Sequence, residues 1–245
     1  SEYDEVISLG KILLKKFKNN SVFYNIIGVA FYQLKRNSEA ENFFEKAIKY
    51  EKKFFEAYNN LGILYYKTGK YKKAKDFFKK ALIFKNDYTE AYNNLGIIEK
   101  KLSNHEESLK AFEKAFNLNK NDEKIVNNYC GILFHFNKRE LPISILKNFL
   151  INNPRSYINY HLLGKFYEEQ KLLNLAIKNF KQAIFINENF LPAINSIGNL
   201  YSNISENNLA TSYYEKGLRK IQSLNSKLDG SEDFCLRAGM FFSRL

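Results

Sequence analysis

The sequence predicts an all-α chain of stacked helical hairpins, an α-solenoid, and three observations carry that expectation. Residues that break helices are scarce, with 11 glycines and 3 prolines in 245 residues, which favours long helices over a turn-rich all-β fold. Hydrophobic residues make up 45%, enough to build a core and to exclude wholesale disorder. The chain also repeats itself. YNIIGVAF from residue 24, YNNLGILY from 58, YNNLGIIE from 92, NNYCGILF from 127, YHLLGKFY from 160 and INSIGNLY from 194 align on Gly28, Gly62, Gly96, Gly131, Gly164 and Gly198. These glycines lie 34, 34, 35, 33 and 34 residues apart, a period typical of solenoids.

Within each segment the large apolar residues fall four and one before the glycine and three after it. Tyr58, Leu61, Gly62 and Tyr65 thus follow the i, i+3, i+4, i+7 spacing of one helix face. A glycine inside that stripe costs about 1 kcal/mol of helix propensity relative to alanine, so a close helix approach is expected there. A second stripe follows at i, i+4, i+7: Ala40, Phe44 and Ala47, then Ala74, Phe78 and Ala81, then Ser108, Phe112 and Ala115. Ala176, Phe180 and Ala183 repeat it, as do Ala210, Tyr214 and Gly217. An aromatic between small residues forms a knob that receives a partner helix. Each repeat is therefore two antiparallel helices joined by a short turn such as Thr68–Gly69–Lys70.

These residues resemble the tetratricopeptide-repeat (TPR) family, whose pattern of aromatic, Leu-Gly, Tyr, Ala, Phe and Ala spans a helical hairpin. The resemblance covers about residues 20–222. It implies a right-handed superhelix in which the first helix of each hairpin lines a concave groove. The expected organisation is a second helix of a preceding partial repeat over 1–18 and six repeats over 19–222. Residues 223–245 lose the register and read as a capping helix or the start of a further domain. Repeat four departs from the pattern, with Asn127 in place of the aromatic, Cys130 in place of Leu and Pro142 in place of Ala. One residue is read as gained before Gly131 and one as lost after it. Pro142 is expected near the first turn of its helix, where a missing N–H costs little, with a local change of curvature.

Cys130 and Cys235 are far apart and form no C-x-x-C pair, which argues against a zinc ribbon or disulfide scaffold and fits a reducing, cytoplasmic setting. No apolar run approaches the roughly 20 residues of a membrane span. The net charge of +12 comes from 32 Lys and only 6 Arg among the basic residues. Nucleic-acid sites lean on the planar arginine fork, so the charge reads as a solvated lysine coat and nucleic acid is not the expected partner.

Candidate binding residues lie opposite the buried stripe. Three before the glycine stand Asn25, Asn59, Asn93, Asn128, His161 and Asn195. Asparagine carries both a donor and an acceptor and can bracket the backbone of an extended peptide whatever its side chains. Asn60 and Asn94, two before the glycine, resemble the asparagine ladder of O-GlcNAc transferase, whose solenoid holds substrate peptides by their backbone. Tyr32, Tyr66, Lys67, Lys100 and Lys101 occupy the early half of the groove, and Glu168 and Glu169 the later half. The lysine that some family members use to clamp a chaperone's C-terminal carboxylate has no match, because Asn fills its column.

Catalytic signatures are missing. The glycines belong to no G-x-G-x-x-G, P-loop or G-x-S-x-G motif, and the three histidines sit in no ligand cluster. No catalytic residue, cofactor or metal is expected. The leading expectation is a non-catalytic protein–protein interaction scaffold that holds a peptide or partner helix in its groove. Two alternatives stay open: the substrate-recognition region of a larger modifying enzyme such as a glycosyltransferase, and an RNA-binding helical repeat.

Overall fold

The 34-residue period reappears in the helix bounds of the computed structural model, which describes residues 1–225. The expectation for 223–245 lies almost wholly outside the described residues. Among those described there are thirteen helices and no strand, and the chain divides into two compact units, Ser1–Ile132 and Leu133–Leu245.

The first unit holds α1 (Glu2–Lys16), α2 (Ser21–Gln33), α3 (Asn37–Tyr50), α4 (Phe55–Lys67), α5 (Tyr71–Phe84), α6 (Thr89–Lys101), α7 (His105–Leu118) and most of α8 (Glu123–His135). Helices α2 and α3, α4 and α5, and α6 and α7 pack as hairpins, while α1 packs on α2, α3 on α4 and α5 on α6. The second unit holds α9 (Glu140–Asn152), α10 (Tyr157–Glu169), α11 (Leu173–Ile186), α12 (Leu191–Asn203) and α13 (Asn207–Asn225). Its hairpins are α10 with α11 and α12 with α13.

One contact recurs inside the hairpins. A Cβ added to Gly62 would lie 2.5 Å from the Phe78 ring, and one added to Gly28, Gly96 or Gly164 would lie 2.7, 2.6 or 2.5 Å from Phe44, Phe112 or Phe180. Gly198 stands in the same relation to Tyr214, at 2.6 Å. The four phenylalanines are almost wholly buried, each contributing about 1.5–3 kcal/mol of apolar transfer. In repeat three, Ser108 takes the alanine position and donates its hydroxyl to the Gly96 carbonyl at 2.8 Å, a bond that only a close helix approach allows.

The turns are as regular as the helices. Lys35, Gly69, Ser103, Asn137, Lys171 and Ser205 all sit at φ between 57° and 76°, and the residue numbers advance by 34 each time. In each hairpin turn two backbone N–H groups reach back, as from Gly69 to Tyr66 O and from Lys70 to Tyr65 O. This left-handed cap satisfies carbonyls that the helix end leaves open.

This regularity corrects the sequence reading of repeat four. First helices start at residues 21, 55, 89, 123, 157 and 191, so no residue is gained or lost around Gly131. Cys130, not Gly131, holds the glycine register, and Gly131 follows it by one position. The aromatic position is then taken by Val126 and the leucine position by Tyr129, both buried. Asn127 falls three before the register position, and Asn128 falls two before it with Asn60 and Asn94. A glycine one residue late offers a false identity match in the sequence, whereas caps and helix starts keep the true count. Pro142 is the third residue of α9 and buried, within the first turn where no intrahelical N–H is required.

Elsewhere the register exposes a misfit. Ala57, Ala91 and Ala193 occupy the position five before the register residue and are fully buried. In repeat five that position is Asn159, also fully buried, and neither side-chain amide atom has a hydrogen-bond partner. A buried unpaired amide costs about 1–3 kcal/mol. Asn159→Ala is therefore expected to raise the unfolding free energy of the chain by about 1–3 kcal/mol, measured by urea titration, because alanine already fits the equivalent sites.

Candidate functional site

The asparagines predicted as a peptide-reading column are bonded to one another. Asn60 Nδ2 donates to Asn25 Oδ1 at 2.9 Å, Asn94 Nδ2 to Asn59 Oδ1 at 3.0 Å, and Asn128 Nδ2 to Asn93 Oδ1 at 2.8 Å. Each bond joins the residue three before the register position of one repeat to the residue two before it in the next. The ladder runs across α2, α4, α6 and α8 inside the first unit, where α2 touches α4 and α4 touches α6.

Each rung uses one end of each amide. The Nδ2 groups of Asn25, Asn59 and Asn93 and the Oδ1 atoms of Asn60, Asn94 and Asn128 take no part in it. Asn59 is the most enclosed, at 4% exposure, while the other five are half-buried. Asn127, three before the register position of repeat four, makes no rung: its Oδ1 is buried without a partner. In the second unit a single rung remains, His161 Nε2 with Ser196 Oγ at 3.0 Å.

Tyr32 and Tyr66 lie seven residues beyond Asn25 and Asn59 and so share their helix stripe, roughly 10 Å further along the axis. Both are half-buried, and Lys67 and Lys101 stand exposed at the ends of α4 and α6. Lys67 Nζ lies 5.8 Å from the centre of the Tyr66 ring. The surface so formed is a row of half-used amides followed by aromatic and cationic groups. Sequence reasoning missed Asn127 and Ser196, and the signal that recovers both is the invariant spacing of helix starts.

Electrostatic detail lies between the hairpins. Tyr65 donates its hydroxyl to Glu41 Oε1 at 2.6 Å. One repeat later the same two positions hold Glu99 and Lys75, with Nζ 2.8 Å from Oε1, and Asn104 Nδ2 donates to the other oxygen at 2.8 Å. Glu99 is thus a buried carboxylate with both oxygens satisfied, a structural pairing and not a lone acid. Among the described residues no group of three His, Cys, Asp or Glu could hold a metal ion, and no helix is long and apolar enough to cross a membrane.

Burial holds the His161 imidazole pKa down at about 4, with the nearby Lys165 charge acting in the same direction. The native state therefore keeps this ring neutral where the unfolded chain, with a pKa near 6.5, takes up a proton. The unfolded state binds more protons between those values, so stability falls as pH drops from about 6.5 to about 4, by up to about 3 kcal/mol. Asn occupies this column elsewhere and can keep a bond to Ser196. The unfolding free energy of the native chain minus that of His161→Asn, followed across that window, is expected to fall steadily on acidification. Carboxylate contributions common to both chains cancel.

With this geometry in place, comparison with known proteins is informative. The tetratricopeptide-repeat sequence profiles match residues 55–88, 89–122 and 158–190, and a related TPR-repeat profile matches 28–69; together they span about half of the chain. No curated protein sequence matches. Among solved structures, one similar chain is YrrB, described as a TPR protein with an unusual peptide-binding site, at 21% identity and TM-score 0.61, covering 76% of this chain and 96% of that one. A chain of the APC/C hetero-tetramer Cut9–Hcn1 aligns at 16% identity and TM-score 0.71 over 98% of this chain and 46% of its own. A tetratricopeptide repeat protein from Parabacteroides merdae aligns at 15% identity and TM-score 0.68 over 98% of both chains. Identities this low speak for the fold alone.

Proposed function

The chain belongs to the tetratricopeptide-repeat family, whose repeats serve generally as protein-interaction scaffolds, and from that premise we propose that its first unit holds an extended peptide segment of a partner protein without catalysing a reaction. The observation that carries this reading is the asparagine ladder of the first unit. Its rungs fix the amides in place before any partner arrives, which lowers the ordering cost of binding. Free Nδ2 groups at Asn25, Asn59 and Asn93 present donors, and free Oδ1 atoms at Asn60, Asn94 and Asn128 present acceptors.

An extended peptide has backbone C=O and N–H groups to match both sets. A helix has already spent its own, so an extended segment suits the ladder better than a partner helix. Beyond the amides, Tyr32 and Tyr66 offer apolar area with a polar tip, and Lys67 and Lys101 offer charge to an acidic residue of the segment. Backbone contacts supply affinity and the flanking groups supply selectivity.

Asn93→Asp tests the reading without dismantling the ladder. The aspartate keeps an oxygen to accept from Asn128 and replaces the outward donor with an anionic acceptor. The selection is a random 12-residue peptide library panned on the native chain, with affinities then measured for both chains. Peptides held by the first unit are expected to bind Asn93→Asp about tenfold more weakly, equivalent to one backbone hydrogen bond, at nearly unchanged thermal stability. Equal affinity for the two chains contradicts the reading.

A further inference from the structure

The second unit carries an open cleft on a different stripe of its helices from the His161–Ser196 rung. Helices α9, α10 and α11 enclose an open cleft of about 430 Å³. Its floor is Leu150, Leu163 and Tyr167, and its lip is Ile151 and Leu175, which are 75% and 41% exposed. Lys147 and Lys178 stand one on each wall.

The chain contains its own control for this cleft. Two repeats earlier, helices α5, α6 and α7 line a smaller cleft of about 290 Å³ at the equivalent positions. There two of the three lysines are neutralised from within, while Lys79, in the position of Lys147, forms no ion pair among the described residues. Glu99, in the position of Tyr167, pairs with Lys75 at 2.8 Å. Glu107, in the position of Leu175, pairs with Lys110 at 2.8 Å. In the second unit both acids are replaced by apolar residues, and among the described residues neither Lys147 nor Lys178 forms an ion pair. Lys147 instead lies 5.7 Å from the centre of the Tyr167 ring. Among the described residues no carboxylate lines this cleft.

The same exchange therefore leaves a site both more apolar and uncompensated in charge. An apolar floor between two unpaired cations is complementary to an apolar side chain flanked by carboxylates. We propose that this cleft docks an acidic segment of a partner protein that inserts a leucine or phenylalanine between Lys147 and Lys178. The site is independent of the amide ladder, because Tyr160, Leu163 and Tyr167 form one stripe of α10 and His161 lies on the neighbouring one.

The test uses the full chain and a fluorescein-labelled peptide, Glu-Asp-Leu-Phe-Asp-Glu, with a companion in which Leu-Phe is replaced by Ser-Ser. Fluorescence anisotropy is expected to give saturable binding of the first peptide and at least tenfold weaker binding of the companion. Leu175→Glu, which reproduces the Glu107 arrangement and sits at an exposed position, is expected to weaken binding at least tenfold with an unchanged melting temperature. Asn93→Asp is expected to leave it unchanged. No saturable binding to the native chain overturns the proposal. Equal binding of the two peptides overturns it too, because the lysine coat alone then suffices. A loss with Asn93→Asp but not with Leu175→Glu also overturns it, assigning the peptide to the ladder.

Discussion

The contact between a glycine of the first helix and an aromatic ring of the second is the constraint on which the rest of the structure depends. A ring seated 2.5–2.7 Å from where a Cβ belongs leaves no alternative residue at that distance. The glycine lowers local helix propensity, and the buried ring more than offsets that cost. With the hairpin closed in this way, the next first helix packs at a fixed distance, and Asn60 can reach Asn25 across it. In the five hairpins that carry it, at Gly28, Gly62, Gly96, Gly164 and Gly198, closure and the spacing to the next repeat are thus two consequences of one contact.

The choice of asparagine at the first-helix face follows from that spacing. A residue bridging two repeats while also facing a ligand needs two distinct polar ends. Serine and histidine supply such ends as well, and His161 with Ser196 continues the pattern in the second unit. A lysine offers donors only and a glutamate acceptors only, so neither can accept along the ladder while donating outward, or the reverse. The ladder is therefore part of the scaffold and, in the function proposed above, its binding surface as well, in contrast to the Glu99–Lys75 pair, whose groups are consumed within the fold.

Much of the architecture was legible in the chain itself, because the stripe of Tyr58, Leu61, Gly62 and Tyr65 repeats with little variation. The miscount at repeat four has a simple physical origin. Gly131 offered an identity match one residue away from the true register, while the caps at Ser103, Asn137 and Lys171 tolerate many residue types and leave little sequence trace. The columns of Asn25 and Asn60 were legible as columns. Their mutual bonds were not, since a rung joins residues 35 apart whose approach depends on glycine packing elsewhere. Least legible was the cleft at Leu175 and Lys178, whose character emerges only when Glu99 and Glu107 are set against their counterparts two repeats on.

Unfolding of Gly62→Ala against the native chain tests the ring-on-glycine constraint most directly. Helix propensity alone makes the alanine chain more stable by about 1 kcal/mol. Overpacking against Phe78, typically about 1–3 kcal/mol, reverses the sign. A net loss of up to roughly 2 kcal/mol in urea titration, together with a shifted Asn94 side-chain amide resonance as the rung to Asn59 weakens, is the predicted result. An alanine chain as stable as the native one, or more so, contradicts the constraint and with it the origin of the ladder.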